Sequence, residues 1–417
     1  MREMKDSGIA WIGEIPKEWE IGRFKNICKI KSGDSLSNEL ICDEDIYPVY
    51  GGGTDSLGCY NKYNTYSEEI IVGRVGARCG CVTLPKCKCW ATDNALIVHT
   101  NLDVVFSYYL LCGFDLNRLN TSNAQPLITS SKINESFICI PPLSEQQRIA
   151  TFLDEKCKEI DALIALQEEM ITELQAYKQS VISEAVTKGL APKVPMKDSG
   201  VEWIGEIPEH WNLCKTLYGL IMPITDGPHT TPNLYKEGVP FVSAEAVSTG
   251  KGKIDFNHIR GYISEEFYKE CCKKYIPALD DIYMIKSGAT TGRVAIVNTN
   301  KQFTIWSPLA VFRCNTSIMK PKYLFYQLQS NGYQKQIELG WSYGTQQNIG
   351  MRTLETLLIT IPPLPEQQAI ADYLDTQCTR IDSLIAIKQE KIESLKEYKK
   401  SVIYEYVTGK KEVPATV

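Results

Sequence analysis

From residue 144 to 187 the chain carries apolar side chains at three- and four-residue steps: Leu153, Ile160, Leu163, Met170, Leu174, Tyr177 and Val181, with no proline or glycine between them. That period matches a helical turn and lays one apolar stripe along a long rod, with Gln167 as its single polar residue. Pro141 and Pro142 break the strand-like run before it; Ser144 is placed to cap the helix, and Glu145 adds negative charge to the first turn. A second rod spans 365–408, where Leu374, Ile381, Leu384, Leu395, Tyr398 and Val402 recur and Lys388 and Lys391 interrupt. At ~1.5 Å per residue, about 44 residues give roughly 66 Å, a length that needs a partner. The heptad-like stripe predicts that the two helices pair; docking of each on its neighbouring segment is the alternative.

The helices belong to a larger repetition. Met4 to Trp19 (MKDSGIAWIGEIPKEW) returns as Met196 to Trp211 (MKDSGVEWIGEIPEHW), identical at 12 of 16 positions. Ile140 to Thr187 returns as Ile361 to Thr408, identical at 28 of 48. Between the repeated blocks lie variable segments, 20–139 and 212–360, of 120 and 149 residues that share little obvious sequence. If a pseudo-two-fold axis relates the copies, the helices run antiparallel and the variable domains sit at opposite ends, a dumbbell.

Each variable segment mixes short β-rich runs, such as Ile70 to Arg74, Ala95 to His99, Ile282 to Ile285 and Ala310 to Arg313, with helical stretches such as Lys322 to Ser330, which predicts an α+β fold. The expected organisation is a first globular domain over 1–143, a spacer helix over 144–188, a linker over 189–195 (GLAPKVP), a second domain over 196–364, a second helix over 365–408 and a tail over 409–417.

Composition narrows the class. A hydrophobic fraction of 43% and a charged fraction of 23% exclude collagen-like and wholly disordered chains. No run approaches the ~18 apolar residues of a membrane span, and the first residues, MREMKD, lack a signal-peptide core. The expected location is the cytoplasm, and an odd count of 15 cysteines there favours reduced thiols. With 45 basic and 50 acidic residues the net charge is −5, so any nucleic-acid surface must be local.

Two glycine turns are candidates for such a surface. Gly73-Arg74-Val75-Gly76-Ala77-Arg78 sets two guanidinium groups beside glycines that let backbone approach a phosphate or base edge, and Lys286 to Arg293, with Lys286, Thr290 and Arg293, is its counterpart. Each is equally readable as a plain turn between strands. His229 and Thr230 lie in a turn-rich stretch, DGPHTTP, which an Asx or proline turn also explains. Gln346, Gln347 and Asn348, with a looser echo at Gln125, offer amides suited to adenine in the major groove, or are solvated loop amides. Cys79, Cys81, Cys87 and Cys89 have a spacing that zinc or simple core packing would satisfy, and no metal site is assigned to them. Neither a phosphate-loop, a nucleophile-elbow nor a zinc-hydrolase motif occurs, which points to a recogniser rather than a catalyst.

The duplicated order carries a resemblance. Trp11 to Pro16 (WIGEIP), a variable domain, then Ile140 to Ala150 (IPPLSEQQRIA) and a long helix, all present twice, resembles the specificity subunit of type I restriction-modification enzymes over essentially the whole chain. The resemblance implies that the variable segments are target recognition domains, each reading one half of a bipartite, asymmetric double-stranded DNA site. It further implies an antiparallel helical spacer that binds two modification (methyltransferase) subunits, which restriction subunits then join. Adenine methylation and DNA cleavage would reside in those partners, with S-adenosylmethionine, ATP and Mg, leaving this chain non-catalytic, without a cofactor and away from membranes. The competing reading is a coiled-coil scaffold with two protein-binding heads.

Overall fold

The computed structural model describes residues 2–120, 126–341 and 347–414. The chain divides into two compact units, Met1–Glu169 with Lys388–Val417, and Met170–Ile387. Each long helix therefore contributes one half to each unit.

In the first unit a four-stranded antiparallel sheet has the order Cys28–Ser32, Ala95–Thr100, Ile70–Gly73, Val82–Thr83. Its two central strands are buried on both faces, as period-2 alternation explains. Ile70, Val72, Leu96 and Val98 point into the main core beside Phe106 and Leu110, whereas Ile71, Ala95 and Ile97 face a smaller core with Cys89 and Ala91. That second core lies under a three-stranded sheet, Cys59–Tyr60, Tyr47–Tyr50 and Trp90–Ala91, with one parallel pairing.

The second unit repeats the plan in unrelated sequence. Thr225–Asp226, Leu309–Phe312, Ile282–Ile285 and Val294–Ile296 form the four-stranded sheet. Gly261–Ile263, Val239–Val242 and Thr304–Ile305 form the three-stranded one, again with one parallel pair. The longer second segment carries helices Ala244–Thr249 and Glu265–Cys272 and, after Pro321–Gln329, helix Asn331–Leu339.

The repeated blocks act as joints. Trp19 and Trp211 are fully buried, and each indole Nε1–H donates to a carboxylate at a helix start: Glu145 Oε2 at 2.7 Å and Glu366 Oε2 at 3.1 Å. The next residue, Gln146 or Gln367, is buried and grips main chain. Gln146 Oε1 accepts from Asp103 N–H (2.9 Å) and its Nε2 donates to Pro141 O (2.9 Å). Gln367 Oε1 accepts from Lys320 N–H (2.7 Å), and its Nε2 donates to Pro362 O (2.9 Å) and Ile318 O (2.8 Å). About two turns further on, Tyr109 donates to Asp154 (3.1 Å) and Tyr326 to Asp375 (2.7 Å).

The long helices are Leu143–Lys188 and Leu364–Val407. Ser144 is not the cap: it lies within the first turn, and the carbonyl of Pro142 accepts from the Glu145 and Gln146 amides, as Pro363 does for Glu366 and Gln367. Within the first unit Phe152 lies on Tyr406 (ring centroids 4.5 Å apart), and Lys399 Nζ donates to both oxygens of Asp161 at 2.7 Å, so the two helix segments run antiparallel. Within the second, Lys178 Nζ donates to both oxygens of Asp382 at 2.7 Å. Asp161 and Asp382, like Lys178 and Lys399, occupy the same places in the two copies. The seam is narrower than the sequence stripe. Leu153, Cys157, Ile160 and Gln167 are buried, but Leu163 and Tyr177 are exposed, as are their counterparts Leu384 and Tyr398. A single partner helix covers too little of the circumference to reach them. The helix ends instead close the cores: Val402, Ile403, Tyr406 and Val407 join that of the first unit, and Ile182, Ala185 and Val186 that of the second.

Replacing Gln367 with Ala strands one main-chain N–H and two carbonyls in a buried place, with an expected loss of about 2–4 kcal/mol. Chemical denaturation checks this, with the exposed neighbour Gln368→Ala expected to stay within ~0.5 kcal/mol of wild type.

Candidate nucleic-acid interface

Both glycine turns are built by the same main-chain bonds. In the first unit Gly73 N–H donates to Cys81 O, Gly80 N–H to Gly73 O, and Cys79 N–H to Gly76 O (2.8, 2.8 and 3.0 Å). In the second, Ile285 N–H donates to Arg293 O, Gly292 N–H to Ile285 O, and Thr291 N–H to Gly288 O (2.9, 2.8 and 3.1 Å). Gly76, Gly80, Gly288 and Gly292 all have positive φ, which these tight reversals require and side-chain-bearing residues resist. Each turn is then tied to a segment far along the chain. Gly76 N–H donates to Pro126 O and Ile128 N–H to Arg74 O; Gly288 N–H donates to Gln347 O and Ile349 N–H to Lys286 O.

The residues singled out in the sequence fall as follows. Arg74 is half-buried, and its Nη1 donates to Ser32 Oγ at 3.2 Å. Arg78 is exposed and lies over Gly53, where an added Cβ would sit 2.3 Å from its Nη1. Lys286 is largely buried, with its side chain 15% exposed and its Nζ 3.1 Å from Asp226 Oδ2. Thr290 is half-buried. Arg293 is exposed, and its Nη1 donates to Ser248 O at 3.3 Å. His229 and Thr230 are exposed, and His229 Nε2 lies 3.1 Å from the same Asp226 oxygen. Gln347 and Asn348 are exposed on the segment that faces the second turn. Gln125 and Gln346 lie outside the described residues. The structure thus brings Arg74 and Arg78 together in one turn, and Lys286, Thr290, Gln347 and Asn348 in the other, with His229 joined to the second through Asp226.

Asp226, in the sequence only the first residue of the turn-rich DGPHTTP, is the centre of an ion-pair network. Its carboxylate is 1% exposed and also receives Lys274 Nζ. Burial alone pushes its pKa up, but hydrogen bonds and charge from Lys274 and Lys286 outweigh that and hold it below the ordinary carboxylate value. Its partners are 48 and 60 residues away in sequence, so no local pattern announces the network. In the first unit the corresponding place, the last residue of the edge strand, is Ser32, so Arg74 meets a hydroxyl instead of a carboxylate. A second group that went unnoticed lies on the first unit's small sheet. Lys88 Nζ sits 4.4 Å from the centre of the Tyr63 ring and 5.7 Å from that of Tyr66, with Tyr47 packed on Tyr63. Its signal, tyrosines interleaved with lysines over Tyr47 to Lys88, is visible only once the sheet gathers them.

The cysteines do not converge. Cys79 and Cys89 are buried, Cys81 is half-buried and Cys87 exposed, and Cys79 Sγ donates to Arg74 O at 3.2 Å. Burial, with a smaller contribution from Cys87, pushes the Cys89 thiol up to about 12. Among the described residues no group of three or more His, Cys, Asp or Glu is placed to hold a metal ion, and no helix is long and apolar enough to cross a membrane.

The family profile described as the type I restriction modification DNA specificity domain matches residues 16–176 and again 227–397. The chain belongs to this family. It is a DNA specificity subunit of a type I restriction-modification system, a non-catalytic component. Among its relatives are two proteins of Methanocaldococcus jannaschii. The putative type I restriction enzyme MjaX specificity subunit is 27% identical, covering 96% of this chain and 95% of its own, and the MjaVIII specificity subunit is 24% identical, covering 95% and 93%. The EcoBI specificity subunit of Escherichia coli is 23% identical over 77% of this chain and 69% of its own. A chain solved in work on complex assembly and conformational transition of the type I R-M system shares the fold, with a TM-score of 0.67 at 18% identity over 94% of this chain and 98% of that one. The specificity subunit thus has two α+β recognition regions and two long helices, as its sequence implies.

The Asp226 network gives the specificity subunit an acid-sensitive element. A carboxylate whose pKa is lowered by folding stabilises the fold above the ordinary value of ~3.9, and that contribution disappears as pH falls through the lowered value. Stability of the wild type is therefore expected to drop more steeply with acid below about pH 4 than that of Asp226→Asn, with denaturation midpoints across pH as the measurement.

Proposed function

We propose that this specificity subunit reads a split, non-palindromic DNA site, one half with each glycine turn, and leaves all chemistry to methyltransferase and restriction subunits. The observation that carries the reading is that one turn geometry occurs twice with different side chains: Arg74 and Arg78 in the first, Lys286 and Thr290 facing Gln347 and Asn348 in the second. Two different readers on one scaffold call for two different half-sites, whereas identical readers would select a palindrome. Lysines and arginines around the turns would neutralise phosphates and set register, and side chains in the turns would contact base edges.

The docking surface for two methyltransferase subunits is, on this reading, the apolar side chains the helix pair leaves uncovered. Among them are Leu163, Leu166 and Tyr398 in the first unit and Leu384, Ile387 and Tyr177 in the second. The two sets are repeat counterparts, so each offers the same surface, as two copies of one partner require. S-adenosylmethionine, ATP and Mg would be bound by those partners and by the restriction subunits.

Co-expression with a type I methyltransferase, followed by single-molecule sequencing of the host genome, is expected to show a bipartite methylated-adenine motif that vanishes without this chain. An active complex whose motif is independent of this chain would favour the scaffold reading. Deleting Glu168 to Ile171 from one helix removes about one turn and is expected to alter the tolerated gap between half-sites or abolish assembly, with the half-site bases kept wherever binding survives. A changed half-site at an unchanged gap would contradict the separation of reading from spacing.

A further inference from the structure

The shared hydrogen bonds align the two turns residue by residue. Arg74 corresponds to Lys286, Arg78 to Thr290, Pro126 to Gln347 and Leu127 to Asn348; the bridges Val75 to Leu127 and Ser287 to Asn348 confirm the register. Along this alignment, hydrogen-bonding capacity has changed sides. In the first unit it resides in the turn, as two guanidinium groups, while at the two aligned positions of the facing segment stand Pro126 and Leu127. In the second unit Thr290 replaces the exposed arginine with a short hydroxyl, and Lys286 is drawn inward to Asp226. There the capacity resides in the facing segment, where Gln347 is exposed.

Arg78, the exposed one of the two turn arginines, lies close against the main chain of Gly53. An added Cβ on Gly53 would lie 2.3 Å from Arg78 Nη1 and 2.6 Å from its Cδ, so a residue with a side chain there would displace the guanidinium.

On the reading that the turns face DNA, we infer that Arg78 fixes a guanine in one half-site and Gln347 an adenine in the other. The chemistry follows from donor and acceptor counts. A guanidinium presents two parallel donors, which match O6 and N7 of guanine in the major groove; a carboxamide presents one donor and one acceptor, which match N7 and N6–H of adenine. Lys286, paired to a buried carboxylate, and Arg293, turned to Ser248, take no part in base choice.

The test uses the full chain in complex with a methyltransferase, methylating a pool of DNA sites randomised at each half-site base and scored by sequencing. Arg78→Ala is expected to lose discrimination by about tenfold or more at one guanine of one half-site, with the other half-site and the gap unchanged. Gln347→Ala is expected to do the same at one adenine of the other half. Arg78→Lys keeps a guanine-compatible donor and is expected to retain the preference, whereas Gly53→Ala weakens it without touching the second half-site.

An unchanged motif in both alanine variants overturns the assignment while leaving the specificity subunit's role intact. So does a uniform loss of affinity over all sequences with a shallower salt dependence, which marks a phosphate contact. If Arg78→Ala yields no methylation, Arg78→Lys decides: a retained guanine preference upholds the assignment, and an equal loss at an unchanged melting temperature overturns it. Should the wild-type complex leave no motif dependent on this chain, the specificity reading itself falls, and this assignment with it.

Discussion

Glu145 and Gln146, and their counterparts Glu366 and Gln367, fix where each long helix begins relative to the domain before it. One takes the N–H of a buried tryptophan and the other takes main-chain groups from the start of a neighbouring helix and the end of a strand. A buried amide with its donors and acceptors satisfied is stiff, because any rotation leaves polar groups unpaired where water cannot replace the partner. The direction of a helix of 46 residues thus depends on a few hydrogen bonds at its first turn. This is why Trp19, Trp211 and the two Glu-Gln pairs return unchanged in the repeat while the segments between them do not.

The two units show how one scaffold carries different electrostatics. At the edge strand the first has Ser32 where the second has Asp226. The serine meets Arg74 with a neutral hydroxyl, whereas the aspartate anchors Lys274, Lys286 and His229 around a buried carboxylate. A net charge of −5 over the whole chain conceals both arrangements, since neither depends on totals.

Sequence reading reached far where information is local or repeated. The helices, the duplication and the correspondence of the two glycine turns are all visible in the order of residues, because periodicity and self-similarity are properties of the chain itself. It failed where a third dimension decides. Leu163 and Tyr177 fit the helical period but stand outside the seam, since period says which residues share a face and not how much of that face a single neighbour covers. Ser144 has the chemistry of a cap, yet the chain enters the helix one residue earlier. The common sheet plan of the variable segments was invisible because strands such as Thr225–Asp226 and Leu309–Phe312 pair across more than 80 residues, and alternation records only which face is buried. Asp226 read only as a turn residue for the same reason: its meaning lies in lysines that only the fold brings near.

The grip of Gln146 and Gln367 on their domains has one further property. The groups they hold in the variable segments are the peptide N–H of Asp103 and, in the second unit, the N–H of Lys320 with the carbonyl of Ile318. An acidic and a basic residue occupy the same gripped position because a main-chain N–H is common to every residue but proline. Mutational drift inside a variable segment therefore leaves the fastening untouched so long as the backbone passes through the same point. New binding preferences can accumulate behind a joint that does not register them.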